Sequence, residues 1–222
     1  MEFFDDAEAD AIKKIAKLYN YNKNLMLYAE ELTDETFLPP INEIRDANDH
    51  IMRVFATVFG FGEPDGESGH EYIKSNLNAA FSHVYRATYE HLDYIKVYQY
   101  GAIQTNLANI LPETLTAVFP EYYREIKPRL VDAIDKIPDY RNGKNIGDPN
   151  LSQVEAYMDI IETTKADYKK IVDMLDSLNE YQVKQNRKDW KERILYVLLG
   201  VIIAVLGAVA IHALNIGVIS KP

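Results

Sequence analysis

The chain has 222 residues, 24 basic against 34 acidic side chains, a formal net charge of -10 and 47% hydrophobic residues. That length fits one folded domain plus a membrane anchor, and the acidic balance argues against a surface for tight, nonspecific binding of nucleic acid. The absence of cysteine excludes disulfides, thiol nucleophiles and cysteine metal sites, in keeping with a reducing cytoplasm.

Residues 5–32 carry Ile12, Ile15, Tyr19, Met26 and Ala29 at helical spacing, and Asp5 and Asp6 suit a helix N-terminus. Residues 33–40 break the pattern. Pro40 fits the first turn of a second helix, with Ile41, Ile44, Ile51, Val54, Phe55 and Val58 on its buried side. Residues 60–66 read as a loop, and Ser68 with Glu71 reads as a capping box opening a third helix. That helix uses Ile73, Leu77, Ala80, Phe81, Val84, Leu92 and Ile95 and is expected to end near Tyr100. Pro112 starts a shorter helix, another follows Pro120, and Pro128 is expected to kink it. Residues 138–150 read as a loop that closes the domain core. Ser152 and Glu155 form a further capping box, after which Leu151, Val154, Met158, Ile161, Tyr168, Val172, Leu175 and Leu178 recur at 3-4 spacing. No strand-like alternation of useful length appears. The expected fold is an all-α antiparallel helical bundle, completed by a long helix over 151–193 that leads into an apolar segment over 194–219.

That segment contains no charged residue, and as a helix it spans roughly 39 Å, enough to cross a hydrocarbon core with some tilt. A membrane span follows, the alternative being a buried core helix. Lys184, Arg187, Lys188, Lys191 and Arg193 stand before it and only Lys221 after it, which places the acidic N-terminal body in the cytoplasm. Lys188, Trp190, Lys191 and Arg193 are the expected interface residues, with Tyr196 at the entry point. The acidic start carries no signal-peptide pattern, so the layout is that of a single-pass, tail-anchored protein of the cytoplasmic membrane. Within the span, Gly200, Ala204, Ala208 and His212 recur every fourth residue, with Gly207 beside them and Asn215 one turn on. Small residues permit close helix approach and polar ones favour a partner or water over lipid. This predicts a homo-oligomer, and a pore would need several copies. The alternative is that Gly and Ala are simply common in spans and that His212 snorkels.

Two Arg-x4-His elements stand on the second and third helices: Arg45 to His50, and Arg86 to His91. Asp46 lies one turn from His50 and could fix its tautomer, while Arg45 could hold a phosphate. If the loop after residue 60 turns the third helix back along the second, Arg45, His50, His83 and Arg86 crowd one stretch of the bundle. As an alternative, Arg45 with Asp49 and Arg86 with Glu90 are ordinary i,i+4 charge pairs, and the histidines merely line the bundle.

Residues 45–50 resemble the HEPN superfamily, all-α domains whose nuclease members carry Arg-x4-6-His with a polar residue after the Arg. Arg45, Asp46 and His50 match; Arg86 and His91 match the spacing, with Ala87 at the polar position. The resemblance covers roughly residues 5–100, extending to the helix after Ser152, and implies metal-independent RNA cleavage at a dimer interface. The layout is also similar to membrane accessory proteins of type VI-B CRISPR systems, which implies prokaryotic antiviral defence and RNA or a defence-system protein as partner. Neither a cofactor, a metal nor DNA is expected. Two functions follow: an oligomeric membrane effector or scaffold, or a membrane-tethered endoribonuclease using Arg45, Asp46 and His50, with His83, Arg86 and His91 as weaker candidates.

Overall fold

The computed structural model describes residues 4–61, 69–142 and 151–219, with side chains except at 141–142 and 211–219. Every regular element among them is helical: α1 (Asp6–Thr33), α2 (Leu38–Val58), α3 (Gly69–Leu107), α4 (Pro112–Val118), a π-helical turn (Tyr122–Ile126) running into α5 (Lys127–Asn142), and α6 (Leu151–Ile219). The chain forms two compact units, Met1–Ala108 with Tyr123–Val172, and Asn109–Tyr122 with Asp173–Pro222.

In the first unit, α1 opens on a reciprocal capping box: the Glu8 N–H donates to Asp5 Oδ1 at 2.8 Å, and the Asp5 N–H to Glu8 Oε2 at 2.9 Å. It stops at Asp34, whose left-handed backbone (φ 55°) turns its N–H back to the Glu30 carbonyl at 2.9 Å. Prolines in the first turn of α2 lack an N–H where a helix has no acceptor to offer it, as expected for Pro40.

Side-chain pairings fix the directions. Glu8 meets His70, Asn22 meets His91 and Tyr28 meets Gln99, so α1 and α3 run parallel. Glu43 meets His83 and His50 meets Asn76, so α2 runs antiparallel to α3. Lys17 and Tyr21 both donate to Glu155 and Lys165 lies over the Tyr28 ring, so α6 runs parallel to α1, while Arg129 reaches Asp167 and Tyr140 stacks on Tyr157, so α5 runs antiparallel to α6. Between these helices lie Leu18, Leu25, Leu77, Ala80, Tyr85, Tyr89, Leu92, Ile95, Tyr157 and Ile161, all buried. Each large aliphatic among them contributes about 1.5–3 kcal/mol of transfer free energy, which outweighs the surface ion pairs.

The structure differs locally from the pattern in the sequence. Ser68 lies outside the described residues, so its capping box does as well. Helix α3 continues past Tyr100 to Leu107, because Ile103 is still buried and Gly101 costs a helix only about 1 kcal/mol. Where a kink was expected at Pro128, a π-helical turn over Tyr122–Ile126 precedes it, next to a proline that cannot donate to the carbonyl four residues back. Helix α5 passes through Pro138 and ends at Asn142, where a loop was expected from 138. Ile137 is buried in its last turns and the Tyr140 ring stacks on Tyr157 at 6.2 Å, which holds those turns despite the missing hydrogen bond. Residues 143–150 lie outside the described residues. Leu151 is already helical, so Ser152 stands inside the helix and not at its cap, and Glu155 Oε1 accepts from Lys17 and Tyr21 of α1.

In the second unit, Gln182 of α6 holds the segment around α4. Its Oε1 accepts the Leu111 N–H at 2.8 Å and its Nε2 donates to the Asn109 carbonyl at 2.9 Å. Leu115, Phe119 and Leu178 are buried in this unit. The apolar part of α6 is different: from Ile194 to Val209 its large side chains are exposed, and none of its most apolar stretch is buried. One long apolar helix therefore has the length and composition to cross a membrane.

Candidate functional site between α2 and α3

The antiparallel register of α2 and α3 brings four of the sequence candidates to one depression, with a fifth beside it. Arg45, Asp46, Asp49, His50 and His83 line a surface depression of about 420 Å³. The rings of His50 and His83 face each other with centroids 5.4 Å apart. Arg86 adjoins them, its Nη2 lying 2.7 Å from His83 Nδ1. The clustering of Arg45, His50, His83 and Arg86 argued from the hairpin is therefore present.

His50 lies 2.8 Å from Asn76 through Nδ1, and the Asn76 amide donates to the Tyr72 carbonyl at 2.9 Å. With its NH2 group turned to that carbonyl, Asn76 presents Oδ1, an acceptor, to the ring. His50 must then carry its proton on Nδ1, which leaves Nε2 as the lone-pair nitrogen. Asp46 does not perform this role, contrary to the expectation from its one-turn spacing. Its carboxylate accepts Arg45 Nη2 at 3.0 Å and Nε at 3.2 Å, because the neighbouring guanidinium offers a full charge where the imidazole offers a dipole.

Glu43 is the residue that the sequence patterns missed. One of its oxygens, Oε2, lies 2.8 Å from His83 Nδ1 and accepts from Arg86 Nε at 2.9 Å, so two candidates gather on one carboxylate. Its only signal was register: a carboxylate on α2 level with a guanidinium on α3. The helix-local charge pairs also differ from expectation, since Asp49 takes Arg53 at 2.6 Å and Arg86 prefers Glu43 across the seam. Each guanidinium around the depression is thus held by a carboxylate.

His91 stands apart from this cluster and is corrected as a catalytic candidate. It is only 1% exposed and lies 2.6 Å from Asn22 Oδ1 inside the bundle. Burial pushes its pKa down to about 4, so at neutral pH it is an uncharged core imidazole. His70 sits in the first turn of α3 against Glu8 at 2.8 Å. The Glu8 hydrogen bond raises its pKa. Asp5, Glu8 and His70 bring three ligand-type atoms within 4.8 Å of one another. The capping box and the His70 contact already use both Glu8 oxygens, so the group is accounted for as a tie between two helix starts.

Comparison of the chain with family models, curated proteins and solved structures finds no match in any of the three. The chemistry must be read from the site alone. A fixed-tautomer imidazole beside a second imidazole is an arrangement suited to proton transfer. The neighbouring cations, being neutralised, leave little free positive charge for a phosphate.

In the second unit the interface candidates Lys188, Trp190, Lys191 and Arg193 lie on α6 immediately before the apolar stretch. Gly200, Ala204, Gly207 and Ala208 lie within that stretch and are exposed. A Cβ added at Gly200 or Gly207 would meet nothing within 4 Å, so neither glycine is required by packing inside one chain. His212 and Asn215 belong to the same helix, their side chains lying outside the described ones.

Proposed function

We propose that the protein is a membrane-anchored, oligomeric effector or scaffold, with a cytoplasmic HEPN-like bundle governing how its membrane helices assemble. The observation that carries this reading is the continuity of α6. Its N-terminal part supplies Val154, Tyr157, Ile161 and Ile171 to the bundle core, and the same uninterrupted helix becomes apolar on every side beyond Ile194. A helix apolar all round needs lipid or other helices around it. The small residues of the span, idle within one chain, suit close approach between copies. Placement in the inner membrane, with the acidic body in the cytoplasm, rests on the basic residues before the span. A role in prokaryotic antiviral defence rests on the HEPN resemblance of residues 45–50 and on the layout. The test is dye release from vesicles carrying the full chain, with detergent-solubilised material sized in parallel. The reading expects an oligomer whose release activity is lost in His212→Leu with Asn215→Leu; a monomer, or release unaffected by the pair, contradicts it.

A second reading, a membrane-tethered endoribonuclease, is favoured by one observation: the Asn76 contact leaves His50 Nε2 as a base on an open depression. In that chemistry Nε2 takes the proton of a ribose 2′-hydroxyl as its oxygen attacks phosphorus; the P–O5′ bond breaks, leaving a 2′,3′-cyclic phosphate, the departing 5′-oxygen takes a proton from water, and Arg45 stabilises the phosphate once it leaves Asp46. The neutralised guanidiniums weigh against it. If it holds, Arg45→Ala with His50→Ala abolishes RNA cleavage and the membrane pair leaves cleavage intact.

A further inference from the structure

We infer that Lys184, Arg187, Lys188 and Lys191 form a docking stripe for anionic phospholipid headgroups, an inference that rests on the membrane reading of α6. The four fall at i, i+3, i+4 and i+7 and share one helical face about 100° wide, whereas Arg193, two residues past Lys191, points to the opposite side. Four arginines of the bundle, Arg45, Arg53, Arg86 and Arg129, each sit against a carboxylate, whereas exposed Arg124 sits against none among the described residues. On the stripe only Lys184 has an ion pair, with exposed Glu180 at 3.2 Å.

Arg187, Lys188 and Lys191 make no ion pair among the described residues, although Glu192 stands one turn beyond Lys188 and Asp189 is adjacent. Asp189 accepts instead from Gln185 at 3.2 Å. In a protein of net charge -10, this is a local positive field left unspent.

Position selects the partner. Lys191 lies about 4.5 Å of helix rise before Ile194 and Lys184 about 15 Å, and long basic side chains reach down toward the phosphates while their stems cover apolar surface. Most of the stripe therefore falls in or just above the headgroup layer, within about a Debye length of it. Trp190, exposed beside the stripe, adds an amphipathic ring at the same depth. The ligand class is thus a lipid phosphate bearing net negative charge, as in phosphatidylglycerol.

Trp190 is the only tryptophan, so it reports on its own lipid shell. The full chain is reconstituted in phosphatidylcholine vesicles containing a fixed mole fraction of phosphatidylglycerol, with bromine near the headgroup end of the acyl chains of either the anionic or the neutral lipid. Compared per brominated lipid, the anionic species should quench Trp190 at least about twofold more strongly. High salt should erase the difference, and so should K184Q/R187Q/K188Q/K191Q, which must still be quenched by the neutral lipid. Equal quenching by the two lipids in the natural chain overturns the stripe and leaves the span intact. Quenching by neither overturns the span, and the stripe with it.

Discussion

The two ends of α6 place similar apolar residues in opposite circumstances. Near its start Val154, Tyr157, Ile161 and Ile171 recur at helical spacing and are buried, while charged neighbours such as Glu155 bind α1. Beyond Ile194 the apolar residues are continuous and exposed. A stripe is satisfied by one neighbouring helix; a full apolar circumference needs a solvent that is itself apolar. The comparison teaches that periodicity, more than hydrophobic content, separates a bundle helix from a stretch with the length and composition of a membrane span within one element.

The sharpest way to break that comparison is a matched pair of truncations. Ile161→Ala should cost the bundle about 2–5 kcal/mol and lower its melting temperature by roughly 5–15 °C. Ile203→Ala should leave the bundle's melting unchanged. Equal shifts in circular-dichroism melts would mean that both ends of α6 are packed inside the protein.

The next effect separates the buried histidine from the exposed ones. His91 has a folded pKa near 4 against an ordinary value of 6.5, so between those values the unfolded chain takes up a proton that the bundle refuses. Stability contributed by the neutral ring is complete above about pH 6.5 and is lost as pH falls toward 4, by up to roughly 3 kcal/mol. In denaturant titrations His91→Gln should flatten this part of the profile. An unchanged slope would mean that another group carries it.

A smaller loss is expected at the α5–α6 seam. Asp167 is 4% exposed at its side chain and held by Arg129 at 2.6 Å, so Arg129→Ala leaves a buried carboxylate without its cation, at about 2 kcal/mol in the same assay. The smallest effect is at His70, where the sign is opposite to that at His91. Its raised pKa means that the Glu8 contact stabilises below about pH 6.5 and fades as pH rises through the raised value. His70→Gln should therefore matter only on the acid side.

Helix positions were legible in the sequence wherever a local device marks them. Asp5, Pro40 and Pro112 each stand at a helix start, and the apolar spacing of α6 picked out Val154, Ile161 and Leu178 of its core but not Tyr157 or Ile171, and it included the exposed Val172. Ends set by tertiary contacts were not legible: α3 runs past Tyr100 because Ile103 is buried, and α5 passes Pro138 because Ile137 and Tyr140 are held by packing. The same division applies to the site. A hairpin register sufficed to bring His50, His83 and Arg86 together, since helices in contact align residues level by level. Which side chain orients which was hidden, because Asp46, one turn away, lost to Asn76 on another helix, and Glu43 became visible only once the seam was formed.

The central claim is that the exposed end of α6 resides in lipid, and alkaline carbonate extraction of membranes from cells expressing the full chain tests it directly. The account predicts that the protein stays with the pelleted bilayer and floats with it in a density gradient. Recovery of folded protein in the carbonate supernatant would contradict it.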